Sequence, residues 1–173
     1  MDARTLLGWL GAGVASLALA LLVHELGHAL GACGGGRRVR LLVLGSGWPT
    51  WILRRRPPAL LLRPWPLGGA CRTDGGRAGA ARWPLLLELS GGPLANVALG
   101  ALLWWLAARS SAPWCGWLAA GQLVLALAQL LPVRPGGARR RLATDGWQLL
   151  QLLRGRPPTA PDDRPEIELN APA

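Results

Sequence analysis

The chain has 173 residues, enough for one compact domain, and 51% of them are hydrophobic. All 19 basic residues are arginine, and the formal net charge is +10 at pH 7. Nucleic-acid binders are often this basic, but long uncharged apolar stretches separate these arginines, which excludes a nucleic-acid partner and favours the lipid bilayer.

Three stretches are long enough to cross a bilayer, which requires about 20 apolar residues. We predict spans at about residues 5–33, 83–108 and 113–133, and a short amphipathic helix at about 146–153. Residues 1–154 would form one domain, and residues 155–173 a disordered, Pro-rich acidic tail. A cleaved signal peptide is the alternative for the first span. Cleavage near Ala20 would, however, leave the two histidines of the chain, His24 and His28, within a few residues of the new N-terminus.

The segment between the first two spans has weak β patterns. Gly34-Gly35-Gly36 ends the first helix, residues 39–44 predict a short strand, and residues 65–71 predict part of a hairpin. The predicted fold class is an all-α membrane protein with a three-transmembrane-helix core and a small cytoplasmic-side β-hairpin or loop region.

The arginines predict the orientation. Ten lie between Arg37 and Arg82 and six between Arg134 and Arg156, so the positive-inside rule puts the N-terminus outside and the C-terminus in the cytoplasm. Exclusive use of arginine indicates a GC-rich genome, so we expect a multi-pass protein of a bacterial cytoplasmic membrane. We interpret residues 37–40 and 139–141 as topology signals that contact anionic lipid.

The first span contains His24-Glu25-Leu26-Gly27-His28, an H-E-x-x-H motif. Residues four apart share one face of a helix, so both imidazoles can bind one Zn²⁺. Glu25 is then placed to act as general base toward water and as proton donor to the leaving amine. His24 and His28 are the only histidines, and ionisable residues inside a span are expensive, which disfavours the alternative of a simple interfacial cap.

Two further motifs follow in order: Gly92-Pro93-Leu94-Ala95-Asn96 opens the second span, and Leu130-Leu131-Pro132 precedes Asp145-Gly146. With the histidine motif, this set resembles the site-2 protease family of intramembrane zinc metalloproteases. Residues 65–71 also resemble that family's P-L-G-G-Y loop, with Ala70 in place of the aromatic. The pattern departs from the family at Gln129, where an asparagine is usual, and in the Arg139–Arg141 insert.

The resemblance implies a zinc endopeptidase that hydrolyses peptide bonds in or near transmembrane segments of membrane-protein or peptide substrates. It implies one Zn²⁺ held by His24, His28 and Asp145, with Glu25 as the catalytic base. Asn96 and Gln129 would contact the substrate backbone or the developing oxyanion. Asn96 has an alternative role as a helix–helix hydrogen-bonding residue.

The third zinc ligand has rivals. Two imidazoles leave a catalytic zinc one protein ligand short, and Asp145, Glu88 and Asp74 are the candidate carboxylates. Asp145 is favoured because Gly146 permits close approach and an apolar helix follows, although Asp145 could instead be the N-cap of that helix.

Two other classes of function remain open. A non-proteolytic membrane protein could keep the zinc as a structural or regulatory element. A metal transporter is disfavoured, because the interiors of the second and third spans offer only Asn96, Gln122 and Gln129. If the protein is a protease, its substrate should bind as an extended strand, with residues 39–44 or 65–71 as the candidate edge.

Overall fold

The structure, a computed structural model, describes residues 2–74, 81–110, 113–133 and 143–156. The Arg139–Arg141 insert and all but the first two residues of the predicted tail lie outside this part of the chain. The described elements, in chain order, are α1 (Ala3–Gly34), β1 (Val39–Ser46), β2 (Trp51–Arg54), β3 (Ala59–Leu62), β4 (Trp65–Thr73), α2 (Arg82–Arg109), α3 (Pro113–Leu130) and α4 (Asp145–Leu153).

Small residues allow α1 and α2 to pack backbone against backbone. A Cβ added to Gly27 would lie 2.8 Å from the carbonyl carbon of Gly91, and one added to Gly31 would lie 2.8 Å from that of Leu87. The contact on α2 moves back along the chain as α1 advances, so the two helices are antiparallel. Glycine at these positions permits the close approach that small-xxx-small pairs give to membrane helices.

Two of the described helices, α1 and α2, are long and apolar enough to cross a membrane. The third helix, α3, has 18 residues and would extend about 27 Å, slightly less than the roughly 30 Å hydrocarbon core. Two of the three predicted spans are therefore long and apolar enough to cross a membrane. The third, α3, is apolar but too short by the same test.

The β region differs from the predicted hairpin. Its four strands form one mixed sheet in the order β2-β3-β1-β4, with β1 parallel to β3 and antiparallel to β4. The hairpin prediction was wrong because β4 pairs with β1, across two intervening strands. Pro66 lies in β4, an edge strand, where the missing N–H of proline is tolerated.

The last helix is fixed by contacts with both α2 and α3. Leu152 of α4 packs against Leu85 and Leu89 of α2 in a buried apolar cluster. At the start of α4, a Cβ on Gly146 would lie 3.0 Å from the Cα of Leu130, so only glycine lets α4 begin beside the end of α3. This packing fixes the position of Asp145, the first residue of α4.

We predict that Gly31→Ala lowers the midpoint of thermal unfolding in detergent, because the new methyl group would meet the α2 backbone. Overpacking of this kind costs about 1–3 kcal/mol. Gly13→Ala is the matched control, since Gly13 lies on the same helix with no atom within 4 Å of an added Cβ. Equal unfolding midpoints for the two variants would show that the close contact at Gly31 is not required.

Candidate metal centre

His24 and His28 lie one helical turn apart on the buried face of α1. Their side chains are almost wholly enclosed, with the two rings at 88° and their centroids 4.6 Å apart. The two Nε2 atoms lie 3.1 Å from each other. The i, i+4 spacing of the motif therefore brings both imidazoles to one point, as the helical period requires.

Asp145 reaches the same point from the opposite end of the chain. Its Oδ2 lies 3.0 Å from Nε2 of His24 and 3.2 Å from Nε2 of His28. The N-cap alternative for Asp145 was wrong: Thr144 is the N-cap of α4, and its hydroxyl accepts from the backbone N–H of Trp147 at 3.3 Å. Because Thr144 caps the helix, the Asp145 carboxylate can turn toward the histidines.

Two local interactions support this carboxylate–imidazole cluster. On one side, the buried Asp145 carboxylate lies within hydrogen-bond distance of Nε2 of both histidines, and its charge complements the polar imidazole rings. On the other side, Nδ1 of His28 donates to the backbone carbonyl of Glu88 at 2.7 Å. This bond keeps the proton on Nδ1 and turns Nε2 toward His24 and Asp145.

The donor set fits a zinc ion. His24, His28 and Asp145 each offer one ligand atom, all within 4.8 Å of one another. Ligands about 2.0–2.1 Å from a tetrahedral zinc lie about 3.3 Å apart, close to the 3.0–3.2 Å edges of this triangle. A Cβ at Gly92 would lie 2.6 Å from Nε2 of His28, so glycine at this position keeps the space beside the ligands open.

Glu25 lies between this cluster and the sheet. It is buried, and a Cβ on Gly69 of β4 would lie 2.7 Å from its carboxyl carbon. Gly69, the second glycine of the P-L-G-G sequence, thus has a steric role, because the lack of a side chain lets an edge strand run against the carboxylate.

The two predicted amide residues have different surroundings. Asn96 is fully buried one turn from Gly92 on the same face of α2, and its amide nitrogen and oxygen have no hydrogen-bond partner among the described residues. Gln129 is half-buried in the last turn of α3. Within the described part of the chain, no hydrogen bond joins Gln129 to the histidines or to Asp145.

The rival carboxylates lie outside the cluster, and each is paired with an arginine. Glu88 Oε2 accepts from Arg37 Nε at 2.8 Å, and Asp74 accepts from Arg40. Arg37 is therefore not the lipid-facing residue that the charge run suggested. A lone glutamate in an apolar span requires a partner of opposite charge. The sequence could therefore have suggested Arg37, the first arginine after the glycine run, as the partner of Glu88.

Peptidase family M50 matches residues 12–155, a range that includes the histidine motif, the sheet, α2, α3 and α4. A search of curated proteins found no match. The family match covers most of the chain and confirms the resemblance that the three ordered motifs indicated. The chain belongs to peptidase family M50, the site-2 protease family of intramembrane metalloproteases.

Proposed function

We propose that the protein is a zinc endopeptidase that hydrolyses peptide bonds in or near transmembrane segments of membrane-protein substrates. The observation that carries this proposal is the buried triangle of His24, His28 and Asp145, with Glu25 beside it. The triangle joins two helices that are distant in the sequence, α1 and α4. A structural zinc site is usually closed by four protein ligands, whereas three protein ligands and an adjacent base are the arrangement of a catalytic site.

The chemistry divides between the metal and the protein. When bound, zinc supplies Lewis acidity that makes a water nucleophilic near neutral pH and polarises a peptide carbonyl. Glu25 takes the proton of the attacking water and delivers it to the leaving amine. Asn96 offers a buried amide N–H₂ that can donate to the substrate carbonyl oxygen as negative charge develops on it.

We further propose that substrate adds to the edge of β4. A helical segment hides its carbonyls, so a scissile peptide must be extended, and an open strand edge supplies the hydrogen bonds that hold it so. Of the two predicted edges, residues 39–44 are excluded, because β1 lies between β3 and β4 and both of its sides are paired. β4 has one neighbour, and its Gly69 lies against Glu25.

The proposed site lies inside the bilayer near the cytoplasmic face, with α1, α2 and α3 as spans. At about 1.5 Å per residue, His28 and His24 are about 9 Å and 15 Å from the Gly34 end of α1. Trp9 and Trp117 pack edge to face at the opposite end, and the Arg109 guanidinium lies 4.0 Å from the ring centroid of Trp105. These tryptophans support an interface at that end of the helices, and the arginine distribution supports the orientation with the N-terminus outside.

Glu25→Gln should abolish cleavage and leave zinc bound, because the substitution removes the base and keeps both imidazoles. General acid–base catalysis is worth about 10²–10⁴-fold, so we expect at least that loss in turnover of a transmembrane model substrate in detergent. Zinc content is measured on the same preparations. Unchanged turnover would contradict the mechanism, and a wild-type protein that binds zinc without cleaving would favour the structural or regulatory alternative.

Asp145→Ala should weaken zinc binding by more than about 100-fold, since it removes a ligand and not only an outer hydrogen-bond partner. Chelator competition on the purified variants measures the affinity. Asp74→Ala is the matched control, because it deletes an equivalent carboxylate that is paired with Arg40 outside the cluster. Wild-type affinity in Asp145→Ala would remove Asp145 from the ligand set.

Gly69→Ala should lower kcat by about tenfold or more and leave the zinc content unchanged. The added methyl group would displace the Glu25 carboxylate from the position in which it meets water, and small misplacements of catalytic groups are costly. Ala70→Gly, the neighbouring change on the same strand, serves as the control. Equal kcat values for both variants would contradict the proposed contact between β4 and the base.

A further inference from the structure

One buried ion pair near the metal centre has no role in the chemistry proposed above. Arg37 Nε donates to Glu88 Oε2 at 2.8 Å, and the two side chains are 10% and 1% exposed. Burying both charges is costly, and only good geometry with further hydrogen bonds offsets that cost. Ionisable residues at such positions are functional candidates by default.

The end of α1 fixes the position of Arg37. Gly36 has a φ of +75°, a conformation that favours glycine, and its N–H donates to the Cys33 carbonyl at 2.9 Å. The N–H of Arg37 then donates to the Ala32 carbonyl, also at 2.9 Å. This pattern is a Schellman motif, which ties the backbone of Arg37 to the helix that carries His28.

On α2, Glu88 contacts both Arg37 and His28, each through a different group. Its carboxylate accepts from Arg37, and its backbone carbonyl accepts from Nδ1 of His28 at 2.7 Å. The contact at Gly31 sets how close α1 and α2 come, but a flat glycine contact does not prevent one helix from sliding or rotating on the other. The ion pair supplies that restraint, because any such movement separates its two charges in a region of low dielectric.

The same guanidinium also holds the end of β4. Arg37 Nη2 donates to Thr73 Oγ1 at 2.5 Å, and that hydroxyl lies 3.3 Å from Glu88 Oε2. Thr73 is the last residue of β4, four residues after Gly69, which faces Glu25. Arginine suits this junction because its planar fork serves two acceptors at once, which an ammonium group does less well.

We propose that Arg37 is a positioning residue for the metal centre: through Glu88 it holds the Glu88 carbonyl on His28 Nδ1, so that His28 Nε2 faces the metal. The proposal rests on the proposed function, since it takes His24, His28 and Asp145 as zinc ligands.

The primary experiment measures zinc affinity by chelator competition and the visible absorption spectrum of the cobalt-loaded protein, using the full chain in detergent. Arg37→Ala should weaken zinc binding about 10–100-fold, the usual effect of losing an outer partner of a ligand, and should shift the cobalt bands. Arg38→Ala is the matched control, because it removes the same charge from the adjacent exposed residue. Arg37→Lys should recover part of the affinity, and Thr73→Val should lower it less than Arg37→Ala does.

A double variant separates positioning from simple stability. Replacing a buried ion pair by apolar residues of similar volume is often neutral or stabilising, so Arg37→Met with Glu88→Leu should unfold near the wild-type temperature. We expect its zinc affinity to stay reduced and its cobalt spectrum to stay shifted, because the Glu88 carbonyl is no longer restrained. Wild-type affinity and spectrum in this double variant would overturn the proposal.

The measurements distinguish failure of the proposed function from failure of the proposed role of Arg37. If Arg37→Ala does not fold, the double variant Arg37→Met with Glu88→Leu carries the test, and wild-type zinc affinity and cobalt spectrum in that variant would overturn the proposal. If the wild-type protein itself binds no zinc, the proposed function fails. If the wild type binds zinc and a folded Arg37→Ala variant has the same zinc affinity and cobalt spectrum, only the proposed role of Arg37 is contradicted.

Discussion

The close contact of α1 with α2 is the constraint on which the rest of the site depends. The glycines at positions 27, 31 and 91 bring the two backbones together, and the side chains of His24 and His28 then reach across to α2. At a usual separation of 8–10 Å between helix axes, larger residues would hold the Glu88 carbonyl out of reach of His28. The bond of 2.7 Å between them is possible because glycines form the α1 side of the contact and let the two backbones approach closely.

The buried polar groups around this contact are satisfied in different ways. The imidazoles and Asp145 bond with one another, and Glu88 bonds with Arg37 and Thr73. Asn96 is different, because its amide lies fully buried and makes no hydrogen bond within the described residues. A buried amide without a partner costs free energy. Under the proposed function, a substrate carbonyl would accept from the Asn96 amide while a peptide is bound.

Much of the candidate site could be predicted from the sequence, for identifiable physical reasons. The 3.6-residue period of a helix alone places His24 beside His28, and the family resemblance adds Asp145. Strand structure was predicted where β1 and β4 lie, but the mixed sheet was not. β2 and β3 are only four residues long and show too little alternation, and no local pattern reveals that β1 pairs with both β3 and β4. The Arg37–Glu88 pair was also missed, since 51 residues separate its members and the arginine lies within a basic run typical of topology signals.

The position of Asp145 after α3 has a consequence for biosynthesis. Protein synthesis runs from the N-terminus, so His24 and His28 are made long before the segment that carries Asp145. The donor set closes only when α4 has been synthesised and has packed its Leu152 against Leu85 and Leu89 of α2. A nascent chain therefore lacks the third member of the donor set. Under the proposed function, the peptide bonds of neighbouring membrane proteins would be exposed to hydrolysis only after the whole domain has folded.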